Sequence, residues 1–185
     1  MHHKIKRTGF FVFSVLTLLF LQIFLFSSLS AQTERKQKEH PSWSKNISIY
    51  EVNLRQYTKE GTLKAFAQNL PKLKKMNVGI LWFMPVNPIG EVNRKGTLGS
   101  YYSVKDYTGL NPEFGTLADF KAIVKQAHKL GMYVIIDWVA NHTSWDNVWM
   151  KSHPEFYTKD KDGKFVSPFD WTDVADLNFE NKELW

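Results

Sequence analysis

The stretch VIIDWVANHTSWDN, residues 134–147, decides how the rest of the chain is interpreted. Its first half is apolar and β-branched, which is typical of a strand in the middle of a sheet. The strand predicted over MYVIIDWV then runs into the polar side chains of Asp137, Asn141 and His142. Each has an ordinary structural explanation, since Asp137 can satisfy backbone donors and the other two can cap a turn. Together they indicate a functional site at the carboxyl end of a buried strand.

Two earlier strands and two helices are also predicted. ISIYEVNLRQY, beginning at Ile47, and VGILWFMP, residues 78–85, are predicted strands, and the continuous apolar run of the second indicates that both its faces are covered. LKAFAQNLPKLKKM predicts a helix that is kinked or restarted at Pro71. TLADFKAIVKQAHKLG predicts a helix capped by Thr116 and ended by Gly131. This alternation of strands and helices predicts an α/β fold with a parallel sheet.

The first 31 residues have the layout of a secretory signal peptide. Basic residues precede the apolar run FFVFSVLTLLFLQIFLF, and small residues follow it up to Ala31. The run is also close to the length that an uncleaved membrane anchor needs, at about 17–25 residues. Either interpretation predicts export, so that the protein is secreted or periplasmic. The polar residues 32–46 are interpreted as a linker.

Charge and cysteine content exclude several classes of function. The 185 residues carry a net charge of +6, of which three cations belong to the predicted signal peptide. The rest is only mildly basic with interspersed charges, which gives no support to a nucleic-acid partner, and no membrane contact beyond the signal segment is expected. The chain has no cysteine, which excludes disulfides, thiolate catalysis and thiolate metal sites.

Polar and aromatic residues are concentrated in the loops that follow the three strands. In parallel α/β folds such loops leave the same edge of the sheet, so their side chains are expected to meet around one cleft. The second loop contains Tyr101, Tyr102 and Tyr107, and the third contains Trp138. Flat rings beside aspartate, asparagine and histidine suit a sugar, which stacks on aromatic faces while its hydroxyl groups form hydrogen bonds.

Three parallel strands cannot close a barrel, and a (β/α)8 barrel has about 250 residues. After His142 the periodicity stops, and residues 143–185 are expected to form an irregular excursion. The chain is therefore either a small open α/β domain with a tail or the first part of a larger fold. The helix-like start ENKELW at the end favours the second interpretation.

Four motifs resemble those of the alpha-amylase family of glycoside hydrolases. IIDWVANH resembles the family's strand-three motif, GILWFMPVNP its strand-two motif, and YYSVKDYTGLNPEFGT the segment between them. DVADLNFEN, residues 173–181, resembles the motif near the end of the domain inserted after strand three. The motifs occur in the family's order and cover the chain from about Ile47 onward. Ser100-Tyr101 is a departure, because many members have His-Gly there.

The resemblance implies the first three βα units of a (β/α)8 barrel over residues 47–142 and the start of the inserted domain over residues 143–185. It implies a retaining enzyme acting on α-glucans such as starch or maltooligosaccharides through a covalent glycosyl-enzyme. The catalytic carboxylates of the family come from strands four, five and seven. The chain therefore contains no catalytic residue of its own, and an Arg-x-Asp motif and a later glutamate are expected further along the reading frame.

The family likeness also assigns roles to particular residues of this chain. Tyr102 would stack on the sugar at the cleavage point, His142 would hydrogen-bond its hydroxyl group, and Asp137 would lie at the floor of the pocket. Asn141 and Asp176 match positions at which many members bind calcium, so Ca²⁺ is the predicted cofactor. Calcium-free branches of the family exist as well.

Three functional hypotheses follow. The first is the N-terminal part of an exported α-glucan hydrolase. The second is a non-catalytic carbohydrate-binding fragment or pseudoenzyme, which would bind maltooligosaccharides without cleaving them. The third is a transglycosylase or isomerase of the same superfamily, which these residues do not distinguish from a hydrolase.

Overall fold

The computed structural model describes residues 40–185. The predicted signal peptide, residues 1–31, and most of the predicted linker, residues 32–46, lie outside this part. The chain divides into two compact units, residues 1–45 and residues 46–185. Of the first unit, the described part contains a short 3₁₀ turn at Ser42–Ser44. All the elements below belong to the second unit.

A three-stranded parallel sheet forms the centre of this unit. Its strands are β1 (Ser48–Val52), β2 (Val78–Phe83) and β3 (Tyr133–Ile136), in the order β1-β2-β3. The parallel pairing follows from the sequence order, because a helix-containing crossover separates each strand from the next. The three strands and their two crossovers form a β-α-β-α-β unit, as predicted for the start of a (β/α)8 barrel, and β3 is followed by an excursion instead of a third crossover helix.

Two strands differ from the prediction, β1 in its length and β3 in its burial. β1 ends at Val52, and the next residues turn into a short helix, α1 (Leu54–Tyr57), instead of continuing as a strand. β3 was expected to be buried, but Ile135 and Ile136 are each 44% exposed. β3 lies at the edge of the sheet, with β2 as its one paired neighbour among the described residues.

The helices confirm the predicted break and cap. The remaining α-helices are α2 (Leu63–Ala67), α3 (Leu70–Lys75), α4 (Leu117–Lys129) and α5 (Trp149–Ser152). The first crossover is divided between α2 and α3, with Pro71 in the first turn of α3, where its missing N–H group costs nothing. Thr116 and Asp119 form a reciprocal capping box at the start of α4, and Gly131 follows its end with φ +68°.

The main core lies between the sheet and the crossover helices. Phe66 of α2, Phe83 of β2 and Phe120 of α4 form a row of edge-to-face contacts, with ring centroids 5.2 and 5.7 Å apart. β2 is buried along almost its whole length, as its continuous apolar sequence predicts. Leu117 is apolar but exposed at the first turn of α4.

The last part of the chain is an excursion with little regular structure, as predicted. It contains an antiparallel pair, β4 (His142–Ser144) and β5 (Val174–Asp176), and two 3₁₀ turns, Pro154–Phe156 and Lys182–Leu184. A small second core supports it, formed by Phe156, Tyr157, Ala175 and Leu177. Within residues 40–185, no helix has the length and apolarity needed to cross a membrane.

Candidate functional site

The carboxyl ends of the strands bring the predicted site residues together. Asp137 directly follows β3, and its N–H group donates to the carbonyl of Phe83 at the end of β2, at 2.8 Å. Tyr102 lies in the long loop between β2 and α4, and its hydroxyl group donates to Oδ2 of Asp137 at 2.7 Å. His142 begins β4, a few residues beyond Asp137. The site therefore lies where parallel α/β folds place their functional groups.

The phenol of Tyr102 is held as a hydrogen-bond donor. Burial, and then the hydrogen bond to Asp137 and its negative charge, raise the pKa of Tyr102 to about 12. The hydroxyl group therefore keeps its proton at physiological pH, and the carboxylate of Asp137 accepts the hydrogen bond. Because this bond fixes one end of the side chain, the position of the ring depends on Asp137.

His142 is 5% exposed and is surrounded on several sides. The amide nitrogen of Asn141 lies 3.0 Å from its Nδ1, and the ring of Trp171 packs edge-on with centroids 5.6 Å apart. Burial lowers the pKa of His142, against the opposing effects of Asp173, Asp176 and a hydrogen bond to the backbone of Tyr102. The amide nitrogen of Asn141 can only donate, so Nδ1 of the neutral ring accepts from it.

A cavity of about 590 Å³ contains two of the three predicted substrate-binding residues. Tyr102 and His142 both line it, whereas Asp137 is not part of its wall and acts through Tyr102. The full lining is Lys95, Gly99, Ser100, Tyr102, Val139, His142, Trp171, Asp173 and Val174. This set of residues is called the Tyr102–His142 cavity below.

Sequence reasoning missed the two charged residues and the tryptophan that line the Tyr102–His142 cavity. Lys95 and Asp173 form an ion pair at 3.0 Å, which joins the loop after β2 to the segment before β5. Trp171 provides an aromatic wall beside His142. Asp173 opens the DVADLNFEN motif and Trp171 precedes it by two residues, so proximity to that motif was the one available signal.

Trp138, the tryptophan expected in the third loop, and the next two tryptophans of the chain lie elsewhere. Trp138 and Trp149 line a different, mostly apolar cavity of about 390 Å³, together with Tyr107, Ala140, Leu177, Phe179, Leu184 and Trp185. Trp145 donates from Nε1 to the carbonyl of Thr172 at 3.0 Å. Aromatic composition therefore predicted that an aromatic residue lines the cavity, but not that Trp171 is the tryptophan there.

Arg55 and Asn53, at the end of β1, hold the loop that carries Tyr102. The guanidinium carbon of Arg55 lies 4.6 Å from the ring centroid of Tyr101, and the Tyr101 hydroxyl group donates to Asn53 at 2.8 Å. Arg55 also contacts the carbonyl of Leu98 at 3.4 Å, and its Nε is buried with no partner within residues 40–185. Arg55 thus fixes the ring face of Tyr101, the residue before Tyr102, and Asn53 fixes its hydroxyl group.

Asn141 and Asp176, the predicted calcium ligands, lie close together across the β4–β5 pair. Asp176 pairs with His142, and the carbonyl of Asn141 accepts from Leu177 at 3.2 Å. Calcium takes about six to eight oxygen ligands, so these two residues fit only as part of a shell that backbone carbonyls would complete. Within residues 40–185, no group of three His, Asp or Glu side chains is arranged to hold a metal. The calcium ion stays a prediction.

The fold and the position of the site define part of a (β/α)8 barrel with its functional groups at the carboxyl ends of the strands. A family model described as the catalytic domain of alpha amylase matches residues 27–182, and the chain belongs to the alpha-amylase family. This confirms the resemblance seen in the four motifs.

Individual relatives are consistent with this assignment. The crystal structure of an alpha-amylase from Lactobacillus plantarum is 51% identical, with a TM-score of 0.74, over 76% of this chain and 33% of that one. Alpha-amylase 3 of Dictyoglomus thermophilum is 28% identical over 97% of this chain and 37% of its own length. An α-1,4-glucan:maltose-1-phosphate maltosyltransferase of Arcanobacterium haemolyticum is 36% identical over 65% of this chain and 20% of its own length. The chain thus spans between about a fifth and about a third of these relatives' lengths.

Proposed function

We propose that the protein is a retaining, α-amylase-like glycoside hydrolase acting on α-glucans, and that residues 46–185 hold the glucosyl unit at the cleavage point. One observation carries this proposal. Tyr102 and His142 line the same cavity, and a hydrogen bond to Asp137 fixes the hydroxyl group of Tyr102. Membership of the alpha-amylase family and the similarity to alpha-amylases support it.

Each residue has a distinct task in this proposal. The ring of Tyr102 stacks on the apolar face of the sugar, and the Nε2–H group of His142 donates to a sugar hydroxyl group. A donor whose bond strengthens as positive charge develops on the sugar ring lowers the barrier, whereas equal binding of ground and transition states does not. A neutral imidazole suits this task, because a charged ring would repel the developing oxocarbenium ion.

The bond-breaking carboxylates come from outside the described residues in this proposal. Retaining glycosidases place two carboxyl groups about 5 Å apart. Asp173 is the one carboxylate in the lining of the Tyr102–His142 cavity, and it forms an ion pair with Lys95 at 3.0 Å. The described residues therefore position the substrate, and the complete gene product is needed for activity.

The experiment is an analysis of the products that the complete gene product forms from maltotriose. The proposal predicts release of glucose and maltose with the new reducing end first formed in the α configuration, as NMR spectroscopy can follow. Binding of maltotriose without cleavage would instead identify a non-catalytic carbohydrate-binding protein. A gene product that does not bind maltotriose and does not cleave it would contradict the whole proposal.

A transglycosylase or isomerase is the second candidate function. The maltosyltransferase from Arcanobacterium haemolyticum, 36% identical over 140 residues, favours it. The two reactions share a glycosyl-enzyme and differ in the acceptor, which is water in one case and a sugar in the other. Longer oligosaccharides or rearranged disaccharides, formed without a matching amount of glucose, would identify this second function.

Replacing Arg55 is expected to lower kcat/KM more than it lowers the stability of the fold. R55M removes the cation that faces Tyr101, so that Tyr102 loses its support, and we expect kcat/KM on maltotriose to fall about tenfold. The free energy of unfolding should change little, because R55M removes the Arg55–Glu113 ion pair at 3.4 Å but also an unpaired buried donor, Nε, which costs about 1–3 kcal/mol.

The matched control for R55M is R94M. Arg94 stabilises the same loop by hydrogen bonds to the carbonyls of Gly90 and Ile89, at 2.7 and 3.0 Å, but lies outside the Tyr102–His142 cavity. It should lose roughly 1–3 kcal/mol of unfolding free energy and keep its kcat/KM. Urea unfolding and steady-state kinetics of both variants separate the two roles, and equal kinetic losses would show that Arg55 has no positioning role.

Calcium binding by Asn141 and Asp176 is proposed on the chemistry of their oxygen atoms. Bound calcium would stabilise the folded state by mass action, so a chelator should lower the melting temperature by roughly 5 °C. Added calcium should restore it, and magnesium, which is smaller and holds its waters more tightly, should not. An unchanged melting temperature in the chelator would contradict the calcium site.

Export is proposed from the first 31 residues, whose basic, apolar and small-residue segments follow the order of a signal peptide. N-terminal sequencing of the mature product should begin near Gln32. A product that starts at Met1 in the cytoplasmic fraction would contradict export.

A further inference from the structure

The backbone carbonyl of His142 is hydrogen-bonded by a side chain from a different loop. The hydroxyl group of Tyr107 donates to this carbonyl at 3.1 Å. Burial raises the pKa of Tyr107 to about 12, so the hydroxyl group keeps its proton at physiological pH and is the donor in this bond. Because His142 is buried, its carbonyl needs a partner within the protein, and Tyr107 supplies one.

The pairing of β4 with β5 explains why this partner comes from outside the ladder. His142 lies opposite Asp176. The N–H group of Asp176 donates to the carbonyl of Val166 at 2.9 Å, and its carbonyl accepts from Thr158 at 3.1 Å, so neither group is directed at β4. His142 and Asp176 are therefore an antiparallel pair without mutual hydrogen bonds, and the carbonyl of His142 points to the other edge of β4.

The loop between β2 and α4 lies along this other edge of β4. Ser144, two residues after His142 and directed to the same side, donates from its N–H group to the carbonyl of Val104 at 3.0 Å. Tyr107 follows Val104 by three residues and supplies the bond to His142. Residues 104–107 therefore take the place of a neighbouring strand beside β4.

Tyr107 is itself held from the end of β2. Asn87, four residues after β2, donates from Nδ2 to the carbonyl of Tyr107 at 3.0 Å. The ring of Tyr107 packs against Trp149 with centroids 5.3 Å apart, in the wall of the mostly apolar cavity. Since its backbone and its ring are both fixed, Tyr107 can hold the backbone of His142 in one place.

We infer that Tyr107 is a positioning residue for His142, whose backbone it fixes at the start of β4 so that the imidazole is held in the wall of the Tyr102–His142 cavity. Asn141 and Trp171 contact the ring itself, whereas Tyr107 fixes the backbone from which the ring extends. This inference rests on the proposed function, because it needs a sugar in the cavity whose hydroxyl group His142 contacts. A displacement of about 1 Å can cost about 10²-fold in rate, so the loss of this bond should be measurable in catalysis.

The test is Y107F in the complete gene product, with maltotriose as the substrate. This change removes one hydroxyl group and keeps the ring that packs against Trp149. We expect kcat to fall about tenfold and KM to change less than about twofold, because the donor to the transition state is displaced while most binding contacts remain. The melting temperature should fall by about 2–4 °C, as for the loss of one buried hydrogen bond.

The matched control is Y157F. The hydroxyl group of Tyr157 lies 2.8 Å from that of Thr143, the residue next to His142 in β4, and burial raises the pKa of Tyr157 to about 12 as well. Tyr157 and Thr143 both lie outside the lining of the Tyr102–His142 cavity. Y157F should therefore lower the melting temperature by a similar amount and keep the kcat of the wild type.

A double variant separates positioning from a general loss of structure. In H142A the group that Tyr107 positions is absent, so adding Y107F should lower kcat no further. Equal kcat losses in Y107F and Y157F, or a loss from Y107F that is as large in H142A as in the wild type, would assign Tyr107 a structural role and overturn the inference. An active wild type with an unchanged kcat in Y107F would overturn the inference alone. A wild type that neither binds nor cleaves maltotriose would overturn the proposed function, and the inference with it.

Discussion

Replacement of His142 by alanine is expected to lower kcat of the complete gene product on maltotriose roughly hundredfold, with a smaller change in KM. Removing one preorganised donor to a transition state costs about 10²–10³ in kcat. His142 is prearranged in this sense, because Asn141 fixes its Nδ1 at 3.0 Å and Trp171 packs against the ring. The donor therefore needs no reorganisation when charge develops on the sugar.

The control for His142 is His128, an exposed residue near the end of α4. H128A should have the kinetics of the wild type, and the melting temperatures of both variants should be compared so that misfolding is recognised. A fall in kcat/KM of H142A that comes only from a higher KM would indicate uniform binding of the sugar. That result would contradict the role given to His142 in the transition state.

Phe83→Ala is expected to produce the largest loss of stability, about 3–5 kcal/mol of unfolding free energy. Phe83 is fully buried in β2 and lies between the rings of Phe66 and Phe120, at 5.2 and 5.7 Å. Truncation leaves a cavity between both crossover helices and the sheet. The carbonyl of Phe83 also accepts from the N–H group of Asp137, so relaxation of this strand end would displace Asp137 and, through their hydrogen bond, Tyr102.

Urea unfolding of F83A and of L117A measures this effect. Leu117 is an apolar residue that is exposed on α4, so its truncation should cost less than about 1 kcal/mol. A loss below about 1 kcal/mol for F83A would show that the sheet and the crossovers do not share one close-packed core.

The local features of the fold could be predicted because their causes are local. The capping box of Thr116 and Asp119, the break at Pro71 and the buried run of β2 each follow from a few neighbouring residues. The place of Asp137 at the site follows from one further rule, that parallel strands end at the same edge. Tyr102 required the family resemblance, because nothing in its own segment distinguishes it from Tyr101.

The remaining features depend on contacts between distant parts of the chain. Lys95 and Asp173 are far apart in sequence and lie in segments without periodicity, so no pattern indicates their ion pair. Arg55, in the short helix after β1, contacts the carbonyl of Leu98, which is distant in sequence. The exposure of Ile135 depends on the order of the strands, which puts β3 at the edge.

The most direct test of the central claim is a crystal structure of the complete gene product with a bound maltooligosaccharide, using a variant that cannot cleave it. A glucosyl ring should stack on Tyr102, with a hydroxyl group about 3 Å from Nε2 of His142. The Tyr102–Asp137 hydrogen bond of 2.7 Å should remain. An oligosaccharide bound elsewhere, with the cavity between Tyr102 and His142 free of sugar, would contradict the account.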